Sequence, residues 1–167
     1  HDLIVEPSAG RGDFLKLFPN DRETCALDID PKCEGVDEMS FFDYIPPDKF
    51  GKVAVVGNPP FGKNAGLAVN FVKHAAKFAD TIAFILPRTF RKSGIINKIP
   101  RNFWLQQEFE LPDNSFYVET ESGVEDFGLR CIFQVWVRRE ELRDTIVEIK
   151  EHEDFQFVNK DSDHDFA

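Results

Sequence analysis

Short apolar runs that alternate with helix-like segments constrain the fold of this chain more than any other feature. Four runs have the length and composition of buried strands, at residues 3–5, 24–29, 53–56 and 81–86. Between the last two, Leu67, Phe71 and Phe78 fall on one face of a helix. Strands that alternate with helices predict an α/β fold, in which a mostly parallel sheet is covered on both faces.

The later part of the chain departs from this alternation. Residues 105–111 and 131–137 have strand-like composition, and a polar loop rather than a long helix joins them. Parallel neighbours are usually connected through a helix, so this link predicts an antiparallel pair. We therefore expect a sheet of about seven strands that is mostly parallel, with one antiparallel strand near its edge.

The chain of 167 residues is long enough for one domain with a full hydrophobic core. We assign residues 1–139 to that domain. Residues 140–167 form an acidic C-terminal extension, which we expect to be partly disordered or to begin a further element. The sequence starts at His1 rather than at a methionine, and almost nothing precedes the first strand. We therefore expect a leading segment to be missing from it.

Several functional classes are disfavoured by simple sequence features. No apolar run reaches membrane-spanning length, and no signal-peptide pattern is present. We therefore expect an intracellular protein, cytoplasmic or nuclear, without a membrane partner. The three cysteines are widely spaced and odd in number, which predicts free thiols, and the four histidines show no ligand spacing. A metal site is therefore not expected.

Residues 3–15, LIVEPSAGRGDFL, read as a strand, a glycine turn and the start of a helix. Gly10 and Gly12 allow a tight turn and the close approach of a ligand. A dinucleotide fingerprint would have a third glycine where Leu15 stands, which argues against pyrophosphate binding. Asp28 ends the second strand, where a carboxylate accepts hydrogen bonds from a ribose diol. The sequence thus predicts a ligand of the adenosine type, with Asp30 as the alternative acid.

A stiff aromatic segment, Asn58-Pro59-Pro60-Phe61, directly follows the strand at residues 53–56 and Gly57. Two successive prolines fix φ and lack N–H groups, so the segment has few ways to relax. The side-chain carbonyl of Asn58 and the backbone carbonyl of Pro59 are then hydrogen-bond acceptors with preset positions. Phe61 offers a stacking face for a base, typically worth ~1–3 kcal/mol. A proline-stiffened turn with Phe61 packed in the core is the structural alternative.

The basic residues are concentrated in one segment, although the formal net charge is −10. Residues 61–101 hold eight lysines and arginines and a single acid, a net charge of +7. This favours DNA or RNA as a partner, with ordinary solvated helix charges as the alternative. Lys63, Arg88, Arg91 and Lys92 follow two strand ends. Because the carboxyl ends of parallel strands share one edge of the sheet, these cations should gather beside Phe61, and Arg88 and Arg91 should contact phosphates.

The motifs EPSAGRGDFL, ALDIDP, FFDY and GNPPFG occur in this order. Together they resemble the amino-methyltransferase family that uses S-adenosylmethionine, and within it the N6-adenine type. The resemblance implies a Rossmann-like class I methyltransferase fold. The cofactor-binding residues it implies are Glu6, Pro7, Gly10, Gly12, Asp28, Ile29, Asp43 and Asn58. Glu6 and the glycine turn would lie at the methionine end, Asp28 at the ribose hydroxyls and Asp43 at the adenine amino group.

The same resemblance implies that Asn58, Pro59, Pro60 and Phe61 are the catalytic residues, and that a target base is flipped out of its stack. Phe116 is our candidate for the second stacking wall. The implied activity is methyl transfer to an exocyclic amine of a nucleobase, adenine N6 in DNA or RNA. Guanine N2, a protein glutamine side chain, or a catalytically silent subunit of the same fold are the alternatives. A recognition domain or partner subunit outside this chain is also expected.

Overall fold

The computed structural model describes residues 1–113, 115, 117–120, 123–126, 128–148, 151–152 and 155–156. The strands of its main sheet are β1 (Leu3–Glu6), β2 (Glu23–Asp28), β3 (Asp37–Glu38), β4 (Val53–Gly57), β5 (Thr81–Pro87), β6 (Phe103–Glu110) and β9 (Cys131–Arg138). Two short hairpins lie outside it, β7 (Tyr117–Thr120) with β8 (Gly123–Asp126), and β10 (Glu151–His152) with β11 (Phe155–Gln156). The α-helices are α1 (Gly66–Ala75) and α2 (Ser93–Ile96).

The main sheet has the strand order β3-β2-β1-β4-β5-β9-β6. The strands from β3 to β5 are parallel, and β9 is antiparallel to both of its neighbours, β5 and β6. The predicted seven-stranded, mostly parallel sheet with one antiparallel strand next to the edge is therefore confirmed. The strand order reverses between β1 and β4, and in open α/β sheets ligands bind beyond the carboxyl ends of the strands at such a switch point.

The main hydrophobic core lies on the face of the sheet that α1 covers. Ile82, Phe84 and Leu86 of β5 are fully buried on this face and belong to the same cluster as the apolar side of α1. On the other face, Ile85 and its β9 partner Phe133 are only half-buried. Burial on one face fixes the register of β5, because a slip of one residue would expose this whole set.

The helix predicted to start at Asp13 forms only a single 3₁₀ turn, Leu15–Leu17. Phe18, which follows the turn, is extended at φ −70° and ψ 145°. It precedes Pro19, and the proline ring disfavours helical dihedrals in the residue before it. The first crossover connection is therefore a short turn rather than an α-helix.

The stretch after β9 packs against the domain. The Arg143 side chain is buried and donates hydrogen bonds to the backbone carbonyls of Ile96, Ile99 and Phe103. An acidic extension beyond this stretch stays a prediction. The three cysteines are free thiols. In the part of the chain that the structure describes, neither α-helix has the length and apolarity needed to cross a bilayer.

Candidate functional site

The turn after β1 is built around Asp28 at the end of β2. The backbone N–H of Gly10 donates to Oδ2 of Asp28 over 2.8 Å, and the N–H of Asp30 donates to Oδ1 over 2.9 Å. Gly12 has φ +69°, and a Cβ there would lie 2.9 Å from Sγ of Cys33. A side chain at position 12 would thus be strained by the positive φ and would require the Cys33 side chain to move.

A cavity of about 620 Å³ opens at the carboxyl ends of β1, β2 and β4. Its lining consists of Pro7, Ser8, Asp28, Ile29, Ser40, Phe41, Phe42, Asn58, Pro59, Pro60, Leu67 and Phe71. This volume is in the usual range for a small-molecule site. Asp28 faces the cavity, whereas Asp30 is exposed and forms an ion pair with Lys32. The geometry therefore favours Asp28 over Asp30 as the acid that faces a ligand.

The predicted cofactor residues divide into two groups around this cavity. Pro7, Asp28, Ile29 and Asn58 line it, together with Pro59 and Pro60 of the proline motif. Glu6 and Asp43 adjoin lining residues in the chain, and Gly10 reaches one through its hydrogen bond to Asp28, without any of the three being part of the lining. Gly12 lies further along the same turn and is also outside the lining.

Apolar side chains form one wall of the cavity, the predicted Ile29 together with Phe42, which the sequence analysis did not assign. Phe42 is 41% exposed and Ile29 is 75% exposed, so both present apolar surface where a planar ring can lie. The ring of Phe42 packs edge-on against Phe71 of α1, with centroids 5.0 Å apart, and the Phe41 ring stacks on Phe71 at 5.2 Å. The signal for Phe42 was present in the sequence, since it adjoins Asp43 in the FFDY motif.

Glu6 is a buried carboxylic acid at the end of β1, with only 2% of its surface exposed. Burial raises its pKa to about 7, against the lowering effect of backbone hydrogen bonds from Leu15 and Phe14. Among the described residues, no hydrogen-bond partner is present for its Oε2 atom. Glu6 thus has a free acceptor beneath the glycine turn, next to Pro7 of the cavity.

This raised pKa predicts a specific pH dependence of stability. Between pH 4.5 and about 7 the folded chain holds a proton on Glu6 that the unfolded chain has released. The contribution of Glu6 to the free energy of unfolding is therefore fully present below pH 4.5 and is lost as the pH rises through 7. In the wild-type protein the free energy of unfolding should fall by on the order of 2 kcal/mol between pH 5 and pH 8 from this cause, and Glu6→Gln should abolish that decrease. Denaturant unfolding of both proteins at pH 5 and pH 8 measures the difference, and identical pH dependence would contradict the assignment.

The proline motif is held at both of its ends. The Ser8 hydroxyl donates to the backbone carbonyl of Asn58 over 3.1 Å. The Phe61 carbonyl accepts from the backbone N–H groups of Leu67 and Ala68, at 3.1 and 3.3 Å, in the first turn of α1. The Asn58 side chain is exposed and has no hydrogen-bond partner among the described residues. Its acceptor is therefore available to a ligand while its backbone is fixed.

A second cavity, of about 650 Å³, lies on the other side of the motif. Its lining consists of Phe61, Gly62, Asn64, Ala65, Pro87, Thr89, Lys92, Ile95, Lys98 and Leu129. Asn58, Pro59 and Pro60 face the first cavity, and Phe61 faces the second. The motif thus separates two spaces that can each hold a ligand.

The predicted phosphate contacts Arg88 and Arg91 are ion-paired with β6. Arg91 lies 2.7 Å from a carboxylate oxygen of both Glu108 and Glu110, and Arg88 lies 3.1 Å from Glu110. Partial burial would raise the pKa of Glu108, but the hydrogen bonds from Arg91 and Gln134 prevail and lower it. Phosphate binding by the two arginines stays a prediction.

Two other residues were predicted to bind the substrate, Lys63 and Phe116, and neither belongs to the described lining of the second cavity. The Lys63 side chain is exposed in the turn before α1, and Lys63 is not part of the cavity lining. Phe116, the candidate second stacking wall, lies outside the described residues. Leu129 is the apolar side chain that the structure places in the second cavity from the segment before β9.

Three solved structures with a similar fold bear methyltransferase names. A proposed RNA methyltransferase from Pyrococcus horikoshii has a TM-score of 0.58 and 14% identity, over 81% of this chain and 74% of its own. The 23S rRNA methyltransferase ErmE has a TM-score of 0.56 and 16% identity, over 84% of this chain and 62% of its own. The N-methyltransferase NodS from Bradyrhizobium japonicum WM9 has a TM-score of 0.56 and 10% identity, over 83% of this chain and 86% of its own.

By sequence, no family model and no curated protein matches the chain. Identities of 10–16% support a shared fold and nothing finer. The strand order and these neighbours agree with the expectation from the sequence. The chain therefore has the Rossmann-like class I methyltransferase fold.

Proposed function

We propose that this chain is an S-adenosylmethionine-dependent methyltransferase that acts on an exocyclic amine of a nucleobase, adenine N6, in a nucleic acid. The observation that carries the proposal is the position of the proline motif between two cavities. Asn58, Pro59 and Pro60 line the cavity that contains Asp28, and Phe61 lines the other. A methyl donor and an acceptor base would then meet at residues 58–61. The relatives of similar fold include proteins named as RNA and N-methyltransferases.

The residues of the first cavity fit the chemistry of S-adenosylmethionine. Asp28 is half-buried, and each of its carboxylate oxygens retains acceptor capacity beside the backbone N–H group that it binds. This suits the two hydroxyls of a ribose. Ile29 and Phe42 offer apolar surface to an adenine ring. Glu6 lies outside the lining but adjoins Pro7, and its free Oε2 suits the amino group of the methionine moiety.

The proline motif would activate the target amine. An exocyclic amino nitrogen is a poor nucleophile because its lone pair is delocalised into the ring. The carbonyls of the Asn58 side chain and the Pro59 backbone can accept its two N–H groups and favour a tetrahedral nitrogen with an available lone pair. Their placement is preset by two prolines and by the Ser8 hydrogen bond to Asn58. Preset placement of this kind lowers the barrier to attack.

S-Adenosylmethionine, held by the residues of the first cavity, would supply an electrophilic methyl group to the target nitrogen and would leave as the neutral thioether. The methylated amine then carries an extra proton and is acidic enough to lose it to water. The motif therefore needs acceptors rather than a strong general base. Phe61 would hold the extruded base by stacking, which is worth ~1–3 kcal/mol per base.

The test is to incubate the protein with labelled S-adenosylmethionine and mixed DNA and RNA, followed by mass spectrometry of the nucleosides and of the digested protein. The expected product is N6-methyladenosine or its deoxy form. Label on guanine N2 would move the target to another base, and label on protein glutamine would move it to another polymer. Absence of transfer, with cofactor binding retained, would favour a catalytically silent subunit.

Asp28→Ala tests cofactor binding, and Asp30→Ala is its matched control. The first substitution removes both oxygens that would face the ribose, so calorimetry with S-adenosylmethionine should show binding weakened by roughly 1–3 kcal/mol. Asp30→Ala, two residues away and outside the cavity lining, should leave binding within about twofold of wild type. Unchanged affinity in Asp28→Ala would contradict the ribose assignment.

A further inference from the structure

The second cavity combines an apolar surface with two ammonium groups. Phe61, Ile95 and Leu129 provide the apolar part, and Lys92 and Lys98 provide the charge. Both lysines are exposed, and neither forms an ion pair with a described residue. Within the described part of the chain, no carboxylate belongs to the lining. An aromatic base attached to a phosphate chain matches this combination of surfaces.

The segment that carries the two lysines is anchored at both ends. At its start, Arg91 donates to Oε1 of Glu108, and Oε2 of Glu108 accepts from Nε2 of the buried Gln134. Gln134 in turn accepts from the indole N–H of Trp136. A chain of hydrogen bonds thus runs from the sheet interior to the turn at residues 88–91.

The far end of the segment is tied to the stretch after β9. The Asn97 side chain donates to the Ile146 carbonyl over 2.9 Å and accepts from the Ile146 N–H over 3.0 Å. Ser93 also bonds the Glu148 carboxylate. The segment from Arg91 to Lys98 therefore holds Lys92 and Lys98 in fixed positions. Arg88 and Arg91, just before and at its start, are already ion-paired.

We propose that Lys92 and Lys98 contact the phosphates beside the target nucleotide, and that Arg91 is a positioning residue that holds them in place. This inference rests on the proposed function, because it takes the second cavity as the site of the acceptor base. It replaces Arg88 and Arg91 as the first candidates for phosphate contacts. A phosphate contact releases counterions from the nucleic acid, while a positioning residue does not, so the salt dependence of binding distinguishes the two.

The experiment measures binding of a fluorescein-labelled single-stranded RNA of mixed sequence, by anisotropy, at several salt concentrations without cofactor. A single-stranded DNA of the same sequence is the second probe. Lys92→Ala and Lys98→Ala should each reduce the log–log salt slope by about 0.7, and the double variant by about 1.4. Arg91→Ala should weaken binding and leave the slope unchanged.

The matched control is the pair Lys73→Ala with Lys77→Ala, which removes the same charge from α1 and from the turn that follows it. This pair should leave the slope close to that of wild type. A larger slope change in the Lys73 and Lys77 pair, or in Arg91→Ala, than in the Lys92 and Lys98 variants would overturn the inference while leaving the proposed function intact. Absence of salt-dependent binding to either probe in the wild-type protein would overturn the proposed function and this inference with it.

Discussion

Replacement of Asn58 by alanine is expected to lower turnover by at least about two to three orders of magnitude, the effect of removing one preorganised hydrogen-bonding group from an active site. Cofactor affinity should stay within a few-fold of wild type. The Asn58 side chain is exposed at the cavity and has no partner among the described residues, so its loss leaves no protein group unpaired. The backbone at this position is held by Ser8 and by the prolines, so the motif should keep its shape.

Asn58→Asp is the matched control, because it keeps the shape of the side chain and an acceptor oxygen directed at the amine. It should retain more turnover than Asn58→Ala at equal cofactor affinity. Methyl transfer is measured with labelled cofactor, and binding is measured separately by calorimetry. Wild-type turnover in Asn58→Ala would end the catalytic assignment. Equal losses of turnover and of cofactor binding would show that the motif is structural.

Replacement of Gly62 by alanine is expected to destabilise the chain by roughly 3 kcal/mol or more, from backbone strain and overpacking together. Gly62 has φ +66° and ψ −176°, a region that other residues rarely adopt. A Cβ there would lie 2.7 Å from Cβ of Leu67 and 3.2 Å from its backbone nitrogen. Neither atom is the far end of a flexible side chain. The strain would displace the Phe61 carbonyl from the first turn of α1, so turnover should fall as well.

Gly66→Ala is the control, four residues further on. Gly66 has helical dihedrals, and a Cβ built on it meets nothing within 4 Å. This substitution should stabilise the chain by about 0.5–1 kcal/mol, because alanine favours the helix and restricts the unfolded chain. Denaturant unfolding of the two variants beside wild type measures both effects. Equal stabilities for Gly62→Ala and wild type would contradict the backbone conformation described here.

Much of the fold was predictable from local patterns. Buried parallel strands are continuous apolar runs, so β1, β2, β4 and β5 were recognised in order, and the missing helix between residues 111 and 131 indicated the antiparallel strand. The positions of Asp28 and Asn58 followed from the same logic, since each comes at or just after a strand end. The carboxyl ends of parallel strands meet at one edge of a sheet, and the two residues therefore line one cavity.

The first helix was predicted too long, although the residue that shortens it is close by in the chain. The apolar residues after Asp13 suggested a helix, and the effect of Pro19 on Phe18 reduced it to a single turn. The wall formed by Phe42 was also missed: the FFDY motif was interpreted only for Asp43, and an exposed aromatic in a short turn gives no periodic signal of its own. Its place beside the cavity depends on packing against Phe71 in a different element.

The sequence by itself determined the parallel sheet, the glycine turn and the proline-stiffened segment at residues 58–61, because each depends on residues close together in the chain. Only the tertiary structure decided which cations are available for a partner. Arg91 and Lys92 are neighbours in the chain, yet Arg91 is paired with Glu108 while Lys92 faces the second cavity. That difference arises because β6 places Glu108 opposite Gln134 of β9 and within reach of Arg91. Ion pairing between elements depends on strand register, which no local pattern of charges records.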